Sequence, residues 1–363
     1  MTTPHIEELT HGIAALSQAI NQPVRLMEVC GTHTVAIFRH GIRALLPGSI
    51  HLLSGPGCPV CVTAAADVEA AILLARSGAA TLATFGDMMR VPGRKETLAE
   101  ARADGADVKV VYSPLDALTL AAKEPAREVV FFATGFETTS PLAAGTLLEA
   151  ERRGIANFSI FSVHKTVPPA LAALLGSGEV QVDGFILPGH VCTVTGVEPF
   201  AFLPERFGRA AVVTGFEAAD ILSGIAMLLA QIAARRPRVE IQYTRVVRPE
   251  GNPRAREILE RLFEPADAHW RGIGTIPGSG LELRASWAHR DAVRKLGLAR
   301  PEVPDPAACQ CGAVLKGIKT PPDCRLFGKA CTPDRPVGAC MVSGEGSCAA
   351  YYKYQPGGER ADG

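Results

Sequence analysis

No charge of one sign predominates in this chain of 363 residues: 37 Lys and Arg meet 37 Asp and Glu. The balance speaks against a nucleic-acid partner or an anionic membrane surface, because both draw on a basic excess. Long hydrophobic runs are missing as well. The most apolar stretch, residues 221–234, falls short of the roughly 20 residues a membrane helix needs and carries Ser223, Gly224 and Gln231. Residues 1–20 lack the basic-then-apolar order of a secretory signal. There is no phosphate-binding Gly-x4-Gly-Lys-Ser/Thr loop. The pairs Gly272/Gly274 and Gly278/Gly280 have no strand-then-helix context. No Gly-x-Ser-x-Gly elbow is present to seat a serine nucleophile. The expectation is a cytoplasmic protein that engages neither membrane nor nucleic acid.

What the chain does have is cysteine, ten of them, in a sequence 47% hydrophobic and 20% charged. In a reducing compartment such a set points to metal binding or redox chemistry rather than structural disulfides. Between residues 24 and 235, short apolar runs alternate with helical patterns. The strand candidates are 24–29, 80–84, 108–111, 129–133, 158–162, 184–187 and 210–214. Helices are expected over 64–77 and 141–153, the second capped by Ser140 with Pro141 at its first position. This alternation predicts an α/β fold with parallel sheets covered by helices. Composition shifts after Ala234, and residues 301–306 read as an extended connector. The Cys-, Gly- and Pro-rich segment beyond has too few apolar residues for a core and is expected to need a metal to organise it.

Ligands of open parallel sheets bind beyond the carboxyl ends of strands, and the chemically distinctive residues fall there. Cys30-Gly-Thr-His33 places a thiol and an imidazole at a strand-to-helix junction, where a helix N-terminus favours the thiolate. The alternative is a buried cysteine beside a capping threonine. Gly55-Pro-Gly-Cys58-Pro-Val-Cys61 is a Cys-x-x-Cys unit on a fixed loop, either a redox dithiol or half a metal site. Asp87 and Arg90 lie in a glycine-bounded loop, which an ion pair between them would also explain. Ala133-Thr-Gly-Phe-Glu137 is echoed by Val213-Thr-Gly-Phe-Glu217, and His164, Lys165 and His190 follow other strands. All are expected to gather on one edge of the sheet.

The remaining signal is the run Cys309-x-Cys311-x12-Cys324-x6-Cys331-x8-Cys340-x7-Cys348. Structural zinc sites show two close Cys pairs, which this run lacks. Its wide spacing suits a cubane iron–sulfur cluster, which needs four thiolates converging in space and leaves two over for a dithiol. A zinc-stabilised tail is the alternative.

Taken in order, these motifs resemble one family. Cys30-Gly-Thr-His33, the Gly55–Cys61 loop, Phe85-Gly-Asp-Met-Met-Arg-Val-Pro-Gly93, Thr134-Gly-Phe-Glu-Thr-Thr139, Leu187-Pro-Gly-His-Val191 and Cys340-Met-Val-Ser-Gly-Glu-Gly-Ser-Cys348 are similar to the HypD family of hydrogenase maturation factors. The resemblance spans nearly the whole chain. It implies two Rossmann-like α/β domains plus a third, Cys-rich Fe–S domain. On this chain those are placed at 20–125, at 126–235, and at 1–19 with 236–363. It also implies an assembly scaffold for the Fe(CN)2CO unit of [NiFe]-hydrogenases, not a conventional turnover enzyme, working with a small HypC-type chaperone and a HypE-type cyanide donor. By the resemblance Cys30 binds the iron under assembly, which carries CN and CO transiently, with Cys58 and Cys61 as a thiol pair nearby. His33 and Asp87 orient or protonate. Cys309, Cys324, Cys331 and Cys348 hold a [4Fe-4S] cluster, with Cys311 and Cys340 as the dithiol and Cys311 in place of Cys309 as the main alternative. Cys192 matches no motif and is expected to serve packing.

Overall fold

The computed structural model describes residues 3–354. Eleven strands form two parallel sheets and one hairpin. Strands β1 (Val24–Glu28), β2 (Ile50–Ser54), β3 (Thr81–Thr84), β4 (Val108–Val110), β5 (Val129–Ala133), β6 (Phe158–Ser162), β7 (Gly184–Pro188), β8 (Ala210–Thr214) and β9 (Val239–Ile241) build the parallel sheets. β10 (Phe263–Trp270) and β11 (Gly274–Leu283) form the antiparallel hairpin. The first sheet runs β2-β1-β7-β8-β9 and the second β4-β3-β5-β6. Every residue of β3, β5, β7 and β8 is buried, which is why these runs are continuously apolar.

The expected division at 125/126 does not follow the sheets. β5 pairs with β3 across it, and β1 pairs with β7 from far along the chain. The first sheet is thus discontinuous, residues 24–54 with 184–241, and the second is inserted between its halves. The N-terminal helix Thr3–Ile20, expected with the third domain, packs instead on the helix Ala218–Ala233. Its Ile13 joins Leu26, Val212 and Leu228 in the core of the first sheet. The expected third domain also includes residues 1–2 and 355–363, which lie outside the described residues. Helix Ser140–Arg152 begins one residue earlier than expected, so Ser140 is inside it and Thr139 is the N-cap.

The Cys-rich segment has short elements only, including helices Cys311–Leu315 and Ser347–Tyr354. It does not stand apart. Cys311, Leu315, Cys331, Cys340, Met341 and Cys348 share one core with Met27, Cys58, Cys61, Phe185 and Trp270. Its few apolar side chains are therefore organised by the α/β body, and a metal is not their sole support. Among the described residues no helix is long and apolar enough to cross a membrane.

Candidate functional site

The strand-end motifs gather at two sheet edges, because the strands carrying them belong to two sheets. At the first, β1 ends on Glu28 and extends through Val29 to Cys30, the N-cap of helix Gly31–Arg39. Cys30 N–H donates to Glu28 Oε2 at 3.1 Å, and Thr34 Oγ1 donates to Glu28 Oε1 at 2.5 Å. Glu28 is buried, and loss of hydration pushes its carboxyl up to about 7 against the pull of Thr34, Ser54 and the Cys30 N–H. An acid raised in this way contributes stability that is full below its unfolded value, near 4.5, and is lost as pH rises to about 7. Glu137, also buried and pushed up to about 7, adds a second such slope. Glu28→Gln is therefore expected to remove a pH-linked loss of at most about 3 kcal/mol between pH 5 and 8, at roughly 1.4 kcal/mol per tenfold change in proton affinity, so that its stability rises relative to wild type as pH increases; His33 and His164, buried and pushed down, give the opposite slope in both chains. Urea denaturation of both chains across that range checks it; parallel curves would refute it.

The Cys30 thiol departs from the expectation of a favoured thiolate. The N–H groups of Thr32 and His33 do pull its pKa down, but burial and the nearby Glu345 carboxylate push it up to about 12. Cys30 keeps partial exposure. Its proton leaves readily only in exchange for a cation, which is how a thiol behaves as a metal ligand. Glu345 arrives from the Cys-rich segment and accepts from Thr32 Oγ1 at 2.8 Å.

His33 is fully buried. Its Nε2 lies 3.0 Å from the Gly215 carbonyl oxygen and 2.9 Å from Thr214 Oγ1. A carbonyl only accepts, so Nε2 carries the proton. Nδ1 is buried with no partner. Burial pushes the ring down to about 4, so it is neutral near pH 7. The ring stacks on Phe216 at 4.6 Å, and His190 stacks on the same Phe216 at 4.1 Å. The strand-end motifs of β1, β7 and β8 thus do converge.

Asp87 lies on the turn Gly86–Arg90 at the end of β3, in the second sheet. Among the described residues its carboxylate has no hydrogen bond or ion pair. Arg90, its alternative partner, instead donates to the Val342 carbonyl at 3.0 Å. His164 and Lys165 lie at the end of β6 in the same sheet, buried but away from the cysteines.

The Cys58 loop is pressed against Cys30. Gly31 N–H donates to the Gly57 oxygen at 2.9 Å, and a Cβ on Gly57 would collide with the backbone of Val29 and Cys30. Cys58 caps the turn Pro59–Val62 and is joined to Cys61 as a disulfide. Cys61 Sγ lies 4.0 Å from the Ala339 carbonyl, one residue before Cys340.

Beyond it, Cys309, Cys311, Cys324, Cys331 and Cys348 line a single cleft with Leu326, Phe327 and Met341. Cys309 and Cys311 sulfurs are 3.1 Å apart. A Cβ on Gly338 would stand 2.6 Å from the Cys309 sulfur and 2.5 Å from that of Cys311, so only glycine leaves room there. Val337 N–H donates to Cys331 Sγ at 3.3 Å. Cys340 is fully buried and does not line the cleft, and the nearby Cys311 and Cys348 thiols push its own thiol up. Among the described residues no three His, Cys, Asp or Glu side chains converge at single-ion spacing. Five cysteines lining one cleft are a soft donor set of the kind a cubane cluster takes. Cys192 is fully buried in the shared core, its thiol pushed up by burial and by Glu137 and Cys30 nearby.

Glu28 and Arg271 belong to no motif singled out in the sequence, and Phe216 and Glu345 lie inside quoted motifs without a role of their own. For Glu28 a signal existed: a carboxylate closing the strand Val24–Glu28 directly before Val29-Cys30.

The HypD family model, described as "Hydrogenase formation hypA family", matches residues 5–355. The chain is 47% identical over 354 residues to the hydrogenase expression/formation protein HupD of Azotobacter chroococcum, covering 96% of this chain and 93% of that one. It is 46% identical over 357 residues to the hydrogenase maturation factor HypD of Rhizobium leguminosarum, covering 95% and 93%. Against that of Escherichia coli K12 it is 44% identical over 351 residues, covering 96% and 94%. The chain belongs to the HypD family of hydrogenase maturation factors.

Proposed function

We propose that this protein matures [NiFe]-hydrogenases in the cytoplasm, as the scaffold on which an Fe(CN)2CO unit is built with a HypC-type chaperone and a HypE-type cyanide donor. The observation that carries the reading is the succession of Cys30, Gly57 packed on its backbone, the Cys58–Cys61 pair and Ala339 beside Cys340, with Cys58, Cys61, Cys311, Cys331, Cys340 and Cys348 sharing one core. An iron delivered as substrate takes Cys30 as its soft thiolate ligand, and the partly exposed side of Cys30 leaves room for a partner's ligand. Glu28 fixes the Cys30 backbone, and His33 offers a fixed, neutral ring. Asp87 is assigned a proton-handling role from the neighbouring sheet edge.

Cys309, Cys324, Cys331 and Cys348 would hold a [4Fe-4S] cluster, which supplies single electrons when bound. Cys340 does not line the cleft, which supports its place outside the ligand set, with Cys311 assigned as its dithiol partner. The Cys58–Cys61 disulfide also suits a second reading, a general iron–sulfur thiol-disulfide oxidoreductase.

Anaerobic purification with the small partner, followed by infrared spectroscopy and iron and sulfide analysis, separates these. Assembly predicts CN and CO bands together with about four cluster irons and four sulfides per chain. A cluster without those bands would favour the oxidoreductase. Stoichiometric zinc without sulfide would sink both.

A further inference from the structure

Arg271 has no part in the chemistry assigned so far, yet it stands between the two sulfur centres. It follows β10 and is 3% exposed. Its N–H donates to the Val62 oxygen at 3.0 Å, and its Nε donates to the Thr63 oxygen at 2.9 Å. Both acceptors come directly after Cys61, so Arg271 is clamped to the disulfide loop. The following Gly272 packs against the backbone of Gly312, next to Cys311. Arg271 also lines a cavity of about 290 Å3 with Asp305, Cys309, Gln310, Cys311 and Gly338.

A guanidinium does not lose its charge in a protein. A buried cation is tolerated when an anion and hydrogen-bond acceptors compensate it. Here Nη2 is buried with no partner, and among the described residues no carboxylate lies within ion-pair distance of Arg271. The adjacent carboxylate, Asp305, accepts from Gly272 N–H at 2.9 Å. Cys309 and Cys311 line the same cavity as the guanidinium, and Cys340 lies close enough to act on its charge. The contrast with Cys30 is one of sign: that thiol faces the carboxylate of Glu345. A centre held by thiolates in a low-dielectric core is a net anion, and it becomes more negative on reduction. A fixed cation beside it stabilises the reduced form more than the oxidised one.

We propose that Arg271 is a positioning residue that supplies the counter-charge of the C-terminal cysteine centre and thereby sets its reduction potential. The inference rests on reading that cleft as an iron–sulfur site. The same clamp fixes the centre's distance from the Cys58–Cys61 loop.

The test uses the full chain, purified anaerobically as wild type, Arg271→Lys and Arg271→Gln. Iron and sulfide are quantified, and each protein is titrated with dithionite while visible absorbance and electron paramagnetic resonance are recorded. Both variants keep a donor; only Arg271→Gln loses the charge. At the wild-type midpoint, Arg271→Gln is expected to show a reduced-to-oxidised ratio at least about tenfold lower, or 59 mV for a one-electron couple. Arg271→Lys is expected to stay within about threefold of wild type. Equal shifts in the two variants, or no shift in Arg271→Gln, overturn the inference while leaving the cluster reading intact. If Arg271→Gln fails to retain iron, Arg271→Lys decides: a midpoint near wild type supports the counter-charge, and a tenfold fall refutes it. Wild-type protein without iron and sulfide overturns the cluster reading and the inference with it.

Discussion

Cys30→Ala is expected to abolish hydrogenase maturation while leaving the fold and the C-terminal centre in place. The change deletes one sulfur. The Cys30 N–H bond to Glu28 and the Gly31 bond to the Gly57 oxygen both use the backbone and survive. Stability should move by only about 1 kcal/mol, an ordinary value for a point change without a new buried charge. The chemical loss is of another order. Groups that merely support a metal ligand cost 10–100-fold in affinity when removed. Loss of the ligand itself should therefore exceed roughly 100-fold in hydrogenase activity recovered from a strain carrying only the variant. Infrared spectra of the anaerobic complex should lack CN and CO bands, while the brown absorbance and sulfide content match wild type. Normal bands would refute the ligand role.

The second large effect separates two cysteines nine positions apart. Cys331→Ala is expected to lose the brown chromophore, with iron and sulfide falling from about four per chain to below about one. Cys340→Ala should retain both. Cys331 lines the cleft, and its sulfur accepts from the Val337 N–H, whereas Cys340 is buried and does not line it. Retention in the first variant and loss in the second would reverse the assignment of the six thiols. The pair Cys309→Ala and Cys311→Ala extends the test, since both sulfurs reach the cleft.

Seven strands were readable because each is a short apolar run, and those of the sheet interiors are buried on both faces. Of the four that escaped notice, β10 and β11 form the separate hairpin and the other two are edges of the first sheet. β2 alternates buried and exposed positions around His51, and β9 is half-buried throughout, so neither forms a continuous apolar run. Strand pairing was not readable, because nothing local to β1 says that its neighbour is β7. The same limit governs the site. The thiols announce themselves by residue type and spacing. Glu345 and Arg271 reach their centres from distant parts of the chain and look like ordinary surface charges in isolation. The expected thiolate at Cys30 used a local fact, the helix N-terminus. The dehydration that outweighs it is tertiary and has no local sign.

The discontinuous first sheet has a consequence for the order in which the protein comes into being. Residues 81–162 hold the whole second sheet and can close as soon as they leave the ribosome. Cys30 is synthesised far earlier, but it has no finished surroundings until β7 and β8 exist. Thr214 and Gly215 must be present to seat His33, and Glu345 is made later still. Such long-range pairing is slow and late in folding. The growing chain therefore carries the Cys30 thiol without finished surroundings until residues 184–215 and Glu345 have been made. Under the proposed function, the cargo thiol and the cluster-binding cysteines are completed together.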